Sequence, residues 1–300
     1  MASDVLRNGG VIIFPTETVY GIGADSRNIA ACQRIYSIKN RPRDNPFIVH
    51  VDSIESMEQI AVIPKKYQDS ISRLTPGPIT FILEKKEDSI FSTGLSTIGV
   101  RIPSNEIAKE LLRISKTPIS APSANISGKP SITRSRDAIE SFTGKVDFIL
   151  TGEDSDIGFE STVVDLTGEI PILLRMGGIS FNALIQVFPL IKKLDTEIDY
   201  AKPASPGLKY RHYAPECEVI LLQKEISIRL TKDTAYIGFK PKREAGFSLV
   251  INSNLEYMHH LYSFFIDCDQ KKIRKAFCEY PEQDEFAEVI VNRIQKAAMK

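Results

Sequence analysis

Three cations stand within five residues of KNRPRDNPFIVH, residues 39–50: Lys39, Arg41 and Arg43. Two prolines stiffen the segment that carries them, and Asn45 and His50 follow. Cations on a rigid loop suit the phosphates of a nucleotide, and arginine adds a two-pronged geometry. A helix C-terminus also attracts positive charge, by a few tenths to about 1 kcal/mol, and that alternative accounts for Lys39. His50, in an apolar run, is either a pocket group or a hydrogen-bonded core residue. No GxxxxGK[ST] occurs, so a nucleotide site here is not a P-loop.

Further polar groups follow strand-like runs. FPTETVYGIGADS, residues 14–26, offers Thr16, Glu17, Thr18 and Tyr20, either as a ligand loop or as a turn whose Thr and Glu cap nearby backbone. Gly21 and Gly23 do not complete a GxGxxG, because Ser26 holds the third place. In SAPSANISGKPSIT, residues 120–133, Ser123 and Asn125 sit among small residues that let backbone N–H groups approach an anion, although Ser/Asn-rich surface turns are common. TIGVRIPS (97–104), FESTVVD (159–165) and LLRMGG (173–178) add Arg101, Ser161 and Arg175. Arg101, Ser123, Asn125, Ser161 and Arg175 thus stand at the ends of separate strands, and a pocket for a charged ligand needs such convergence. No nucleophile with an oriented base emerges.

These groups need a scaffold. Short runs rich in β-branched residues at 10–14, 47–51, 79–83, 97–102, 147–150 and 162–166 predict strands. Helical spacing at 29–39, 64–74, 105–115 and 134–142, with a further helix from about Phe181, makes the pattern α/β. Periodicity fades across 195–215, where Pro203, Pro206, Gly207 and Pro215 gather. Beyond it, strands at 218–222, 235–239 and 248–251 and an amphipathic helix through Phe286, Val289, Ile290 and Ile294 predict a second, smaller α/β unit. The 300 residues, 42% hydrophobic and 25% charged, fit a globular protein. No apolar run approaches the roughly 18 residues of a membrane span, and no secretory signal is visible, so the expected compartment is the cytoplasm. Cys32, Cys217, Cys268 and Cys278 are scattered without a CxxC, which disfavours disulfides and zinc. Lys+Arg and Asp+Glu both total 38, so overall charge does not draw the chain to nucleic acid.

Within the boundary, SPGLKYRHYAP (205–215) runs Lys209, Tyr210, Arg211, His212 and Tyr213 together. A connector does not require such a run. It is either a lid over the first unit's pocket or a linker whose aromatics dock the two units.

PTETVYGIG, the KxR of Lys39 and Arg41 with NPFIVH, PGPIT, GVRIP, APSANISG, ESTVVD and SPGLKYRHYAP occur here in the order seen in threonylcarbamoyl-AMP synthases. Over nearly its whole length the chain resembles their long form, with specific N-terminal motifs and a looser likeness around VNRIQKAA (291–298). The resemblance implies a YrdC-like twisted open sheet with helices over 1–194, a linker and lid over 195–215, and a small Rossmann-like α/β domain over 216–300. It implies synthesis of threonylcarbamoyl-AMP and pyrophosphate from L-threonine, bicarbonate or CO2 and ATP with Mg²⁺, and no metal held by the protein itself. The product would pass to tRNA threonylcarbamoyl-transfer proteins that modify the adenosine beside the anticodon, with at most weak tRNA contact. By motif, Thr18, His50, Arg101, Ala121 and Ser161 would bind threonine. Lys39, Arg41, Asn45, Thr97, Ser123, Asn125, Ser131 and Arg175 would bind ATP, Lys39 and Arg41 acting electrostatically. The lid reading of residues 209–213 is then favoured. Met176, Ile132 and Leu208 replace residues common in the family, beside polar contacts without removing one. Two rivals differ in class: a YrdC-like module binding structured RNA through the 39–43 cations, and a carbamoyl-transfer maturation enzyme, whose zinc cysteines this chain lacks.

Overall fold

The computed structural model describes residues 1–86, 88, 90–194, 213–223 and 230–299. Eleven described strands form the first sheet: β1 (Ile12–Phe14), β2 (Gly21–Asp25), β3 (Ile48–His50), β4 (Ala61–Val62), β5 (Ile79–Lys85), β6 (Thr97–Arg101), β7 (Ile119–Ser120), β8 (Phe148–Ile149), β9 (Thr162–Asp165), β10 (Ile172–Arg175) and β11 (Lys192–Lys193). Their order is β11-β10-β9-β5-β6-β3-β7-β2-β1-β8, with β4 on β5; parallel and antiparallel pairs alternate from β11 to β3, and the pairs from β3 to β1 are all antiparallel. Helices α1 (Ala2–Arg7), α2 (Ile29–Lys39), α3 (Ile54–Ile60), α4 (Gln68–Leu74), α5 (Glu106–Ser115), α6 (Ser135–Phe142) and α7 (Phe181–Val187) connect them.

Two departures from the sequence reading matter for the site. The 14–26 stretch is only partly loop: Gly21–Asp25 forms β2, antiparallel to β1 in the register Ile12↔Gly23 and Phe14↔Gly21. Its two glycines lack β-propensity, yet they are what the pairing needs, because a Cβ at Gly23 would meet the Phe14 ring at 2.8 Å. The helix expected at 64–74 begins as a 3-10 turn, Lys65–Tyr67, before α4.

Helix α2 ends where the cation loop begins. Asn28 caps its start by accepting from Ala31 N, and Asn40 ends it in the left-handed region at φ 51°. The reversed chain lets Arg41 N donate to Tyr36 O, so Lys39 and Arg41 leave the helix on the sheet side.

The second sheet, β12 (Glu218–Leu222), β13 (Thr234–Gly238), β14 (Phe247–Val250) and β15 (Lys275–Glu279), is all parallel in the order β12-β15-β13-β14. It packs against α8 (Asn254–Gln270) and α9 (Ala287–Ala298). Tyr257, Leu261, Tyr262, Phe264 and Phe265 of α8 are fully buried, each side chain worth roughly 1.5–3 kcal/mol. This core reaches into the first sheet's loops at Val19 and Phe159, and takes in Tyr213, which precedes β12. Arg134 adds an ion pair to Asp267 at 2.6 Å, and Lys129 adds one to Glu216 at 2.9 Å.

Candidate functional site

Loops from both halves of the large sheet open onto one cleft, with about 750 Å³ of empty space including its mouth. One wall comes from the β1–β2 loop. Arg101, at the end of β6, donates from Nη1 to Thr18 Oγ1 at 2.8 Å. The Thr16 hydroxyl donates to Val19 O at 2.7 Å, so the 2.8 Å contact between the two threonines must carry the Thr18 proton. The relay fixes both hydroxyls before any ligand arrives. Arg101 also donates from Nε to Gly77 O at 3.3 Å, and its Nη2 lies 2.7 Å from Glu17 Oε1, both side chains being 5% exposed. That last contact is an ion pair, and neither Glu17 oxygen has an aligned hydrogen bond among the described residues. Burial pushes the Glu17 carboxyl up, but the Arg101 guanidinium and the nearby backbone together outweigh it and hold the group below its ordinary value.

His50, at the end of β3, packs edge-on against Phe14 at 5.9 Å. Burial, reinforced by the Arg101 charge, lowers its pKa to about 3. The imidazole is therefore neutral at physiological pH, and its Nδ1 has no hydrogen-bond partner among the described residues.

Opposite, Lys39 is buried and donates to Ser123 O at 2.6 Å, Asn125 O at 2.5 Å and Asn125 Oδ1 at 3.1 Å. Its three protons are all engaged, so it staples the 123–125 loop while lining the cleft. Burial, then the Arg41 charge, pushes its pKa well below the usual value. Asn125 Oδ1 also accepts from Ser123 Oγ at 2.7 Å, and its Nδ2 donates to Ile126 O and Lys129 O at 2.9 Å each. Arg41 donates to Asn45 O at 3.3 Å and to Pro46 O at 3.1 Å, beside the Phe47 ring; burial lowers its pKa to about 10.

The third corner joins β9 and β10. Arg175 donates to Ser161 O at 2.8 Å and to Ser161 Oγ at 3.1 Å, and Ser161 Oγ lies 2.8 Å from Thr80 Oγ1. The chain after Arg175 runs directly against 160–162, where a Cβ on Gly177 would sit 2.2 Å from Glu160 O. Glu160 lines the cleft. It accepts from Ser131 Oγ at 2.7 Å and from Tyr262 Oη at 3.0 Å.

Of the residues singled out in the sequence, Thr18, Lys39, Arg41, His50, Arg101, Ala121, Ser123, Asn125, Ser161, Arg175 and Tyr213 line this cleft. Three of the residues that the resemblance assigns to ATP do not. Thr97 stands at the far end of β6 from Arg101, roughly 13 Å away at strand spacing, in a separate depression with Pro46 and Phe91. Ser131 is buried with its hydroxyl turned to Glu160, and Asn45 is buried behind Arg41 and offers its carbonyl to that side chain. Lys209, Tyr210, Arg211 and His212 lie outside the described residues. The sequence reading offered Glu17 only as a loop group or a backbone cap, not as a partner of Arg101, and gave no role to Glu160 or to the second domain's Tyr262 and Arg293. The carboxylates had a signal, since each directly precedes a singled-out hydroxyl, Thr18 and Ser161.

Two family models together span nearly all of the chain. Residues 4–177 match Sua5/YciO/YrdC, described as telomere recombination, and residues 179–299 match the threonylcarbamoyl-AMP synthase C-terminal domain. Threonylcarbamoyl-AMP synthase of Pyrococcus abyssi is 44% identical over 232 residues, 74% of this chain and 67% of the relative. The Bacillus subtilis protein of the same name is 41% identical over 229 residues, 74% of this chain and 66% of its own. The aligned part is thus about two thirds of each relative's length. The crystal structure of P. abyssi Sua5 complexed with L-threonine superposes with a TM-score of 0.90 at 35% identity, covering 99% of this chain and 93% of that one.

Proposed function

The chain belongs to the threonylcarbamoyl-AMP synthase family, and we propose on that basis that its cleft converts L-threonine, bicarbonate or CO2 and ATP into threonylcarbamoyl-AMP and pyrophosphate. The enzyme is a nucleotidyltransferase that serves threonylcarbamoyladenosine modification of tRNA. The observation that carries this reading is the convergence of Arg101, Ser161 and Arg175 on one pre-oriented cleft in a chain so close to a structure solved with L-threonine.

Threonine occupies the side formed by Thr18, His50, Arg101, Ala121 and Ser161. Its carboxylate meets Arg101, the guanidinium being suited to a planar anion. His50 is too weak a base at neutral pH to accept the amine's proton, so it orients the substrate through Nδ1. ATP lies toward Lys39, Arg41, Ser123, Asn125 and Arg175, with Asn45 and Ser131 supporting that wall from behind. The threonine amine, deprotonated to solvent, attacks CO2 and gives its second proton to water, or attacks bicarbonate with loss of water; the resulting carbamate oxygen attacks the α-phosphorus as pyrophosphate leaves. The residues act by positioning and by neutralising charge, with no covalent enzyme intermediate. Mg²⁺ accompanies ATP as part of the substrate. Among the described residues no cluster of three or more His, Cys, Asp or Glu side chains could hold a metal, and Glu17 and Glu160 are committed to Arg101 and Arg293, so phosphate oxygens and water suit the ion better.

The lid belongs to this reading. Its expected role, carried by Lys209, Tyr210, Arg211 and His212 outside the described residues, is to exclude water and so protect a hydrolysable product. The product then passes to tRNA threonylcarbamoyl-transfer proteins in the cytoplasm. No helix among the described residues is long and apolar enough to cross a membrane. The test is isotopic: ¹³C-bicarbonate supplied with ATP, Mg²⁺ and L-threonine should yield threonylcarbamoyl-AMP one mass unit heavier. ATP cleavage without label entering a threonine adduct overturns the proposal.

A further inference from the structure

We infer that Arg293, on α9 of the second domain, is a positioning residue for the cleft, so that the second domain completes the site as well as anchoring the linker. This rests on the reading of the cleft just given. Arg293 is 1% exposed and reaches out of its own domain. Its Nη2 donates to Met176 O at 2.6 Å, its Nε lies 3.4 Å from Glu160 Oε2, and its Nη1 is held by Asn292 Oδ1 at 2.7 Å. The guanidinium also lies over the Tyr213 ring at 5.2 Å and near the Phe159 ring at 5.7 Å.

Apart from Asn292, its neighbour on α9, each of these contacts is one residue from a cleft group or is itself one. Met176 follows Arg175, and Glu160 precedes Ser161, the two residues whose mutual hydrogen bonds form the third corner. Tyr213 is the described end of the lid segment and stacks on Tyr262 at 5.1 Å. One side chain therefore ties together both strands of that corner and the root of the lid. Glu160 gives the tie its charge logic. It is buried, and the Arg293 and Arg175 charges outweigh its desolvation. Without Arg293 a carboxylate remains one residue from Ser161 with less compensation, and it draws Arg175 away from the cleft.

The test compares R293M with R134M in the full-length protein. Arg134 also joins the domains, through Asp267, but lies outside the cleft. Both substitutions should lower the melting temperature. Only R293M should weaken L-threonine binding by calorimetry and lower kcat for threonylcarbamoyl-AMP formation, by tenfold or more, since misplacement by about 1 Å can cost roughly a hundredfold. R293K, which keeps the charge but not the fork, should fall between wild type and R293M, and it carries the comparison if R293M does not fold. Loss of stability alone, with threonine affinity and kcat in R293M or R293K matching R134M, overturns the inference. Absence of threonine binding in the wild-type protein would instead refute the reading of the cleft, so the two failures are distinguishable.

Discussion

Replacing Arg101 by methionine removes one side chain with two separable roles. Arg101 is the only charged partner within ion-pair distance of the buried Glu17 among the described residues, and it orients the Thr18 hydroxyl. Breaking a buried pair by deleting one partner typically costs 3–5 kcal/mol, so R101M should be destabilised by about that much. In E17Q/R101M no charge is left unpaired. What remains is the loss of two donors, to Thr18 Oγ1 and Gly77 O, at about 1 kcal/mol each. The double variant should therefore recover roughly 1–3 kcal/mol relative to R101M in urea unfolding. The deficit also has a pH signature. In the wild type the folded pKa of Glu17 lies below its ordinary 4.5, so its contribution is present above that pH and lost as pH falls through the folded value. In R101M burial is opposed only by the nearby backbone and raises it, so the deficit should shrink on acidification toward pH 4.5 and grow as pH rises. Threonine affinity should not recover. A charge-assisted bond to the substrate carboxylate is worth about 1.5–3 kcal/mol, hence roughly tenfold to hundredfold weaker binding by calorimetry in both variants. Wild-type threonine affinity in E17Q/R101M would refute the assignment of Arg101 to the carboxylate.

Other expectations follow from the same geometry. His50 is neutral when folded, with a pKa of about 3 against an ordinary 6.5, so its stabilisation is complete above 6.5 and is lost as pH falls toward 3. Wild type should lose about 1.4 kcal/mol per pH unit from this group between pH 6 and 4, and urea unfolding of H50N should lack that component; equal slopes would contradict it. K39M strips the donor from two carbonyls and the Asn125 amide, so it should lower stability by about 1–3 kcal/mol and raise the KM for ATP; an unchanged KM in a destabilised protein would leave Lys39 a staple alone. Alanine at Lys209, Tyr210, Arg211 and His212 together should reduce turnover and speed hydrolysis of threonylcarbamoyl-AMP held with the enzyme. Full turnover with unchanged product lifetime would remove the lid from the mechanism.

The sequence exposes the strands that carry the cleft because their apolar runs are short and β-branched, as in ITFIL and TVVDL, and α2 is bounded as its spacing suggests, at Ile29–Lys39. Strand β2 is hidden because GIGAD has glycine at alternate positions, chosen for contact with Phe14 over strand propensity. Helix α8 is hidden for the opposite reason: NLEYMHHLYSFFIDCDQ buries most of its surface, so no polar face marks the period. Site residues were legible where a motif sits beside a strand end. Thr97 lies at the wrong end of its strand for the cleft, which spacing along the chain does not reveal. Arg293 is a subtler case. It occupies the same stripe of α9 as Val289, Ile290, Ile294 and Ala297, and a lone arginine on an apolar face is a signal that a buried acidic partner waits elsewhere.

The central claim is that ATP cleavage here is tied to threonine. Purified protein with ATP, Mg²⁺ and bicarbonate should release pyrophosphate only when L-threonine is added, with threonylcarbamoyl-AMP identified by mass in matching amount. Pyrophosphate release at the same rate without threonine, or with threonine but no adenylate product, would contradict the claim and bring the RNA-binding reading of the 39–43 cations forward.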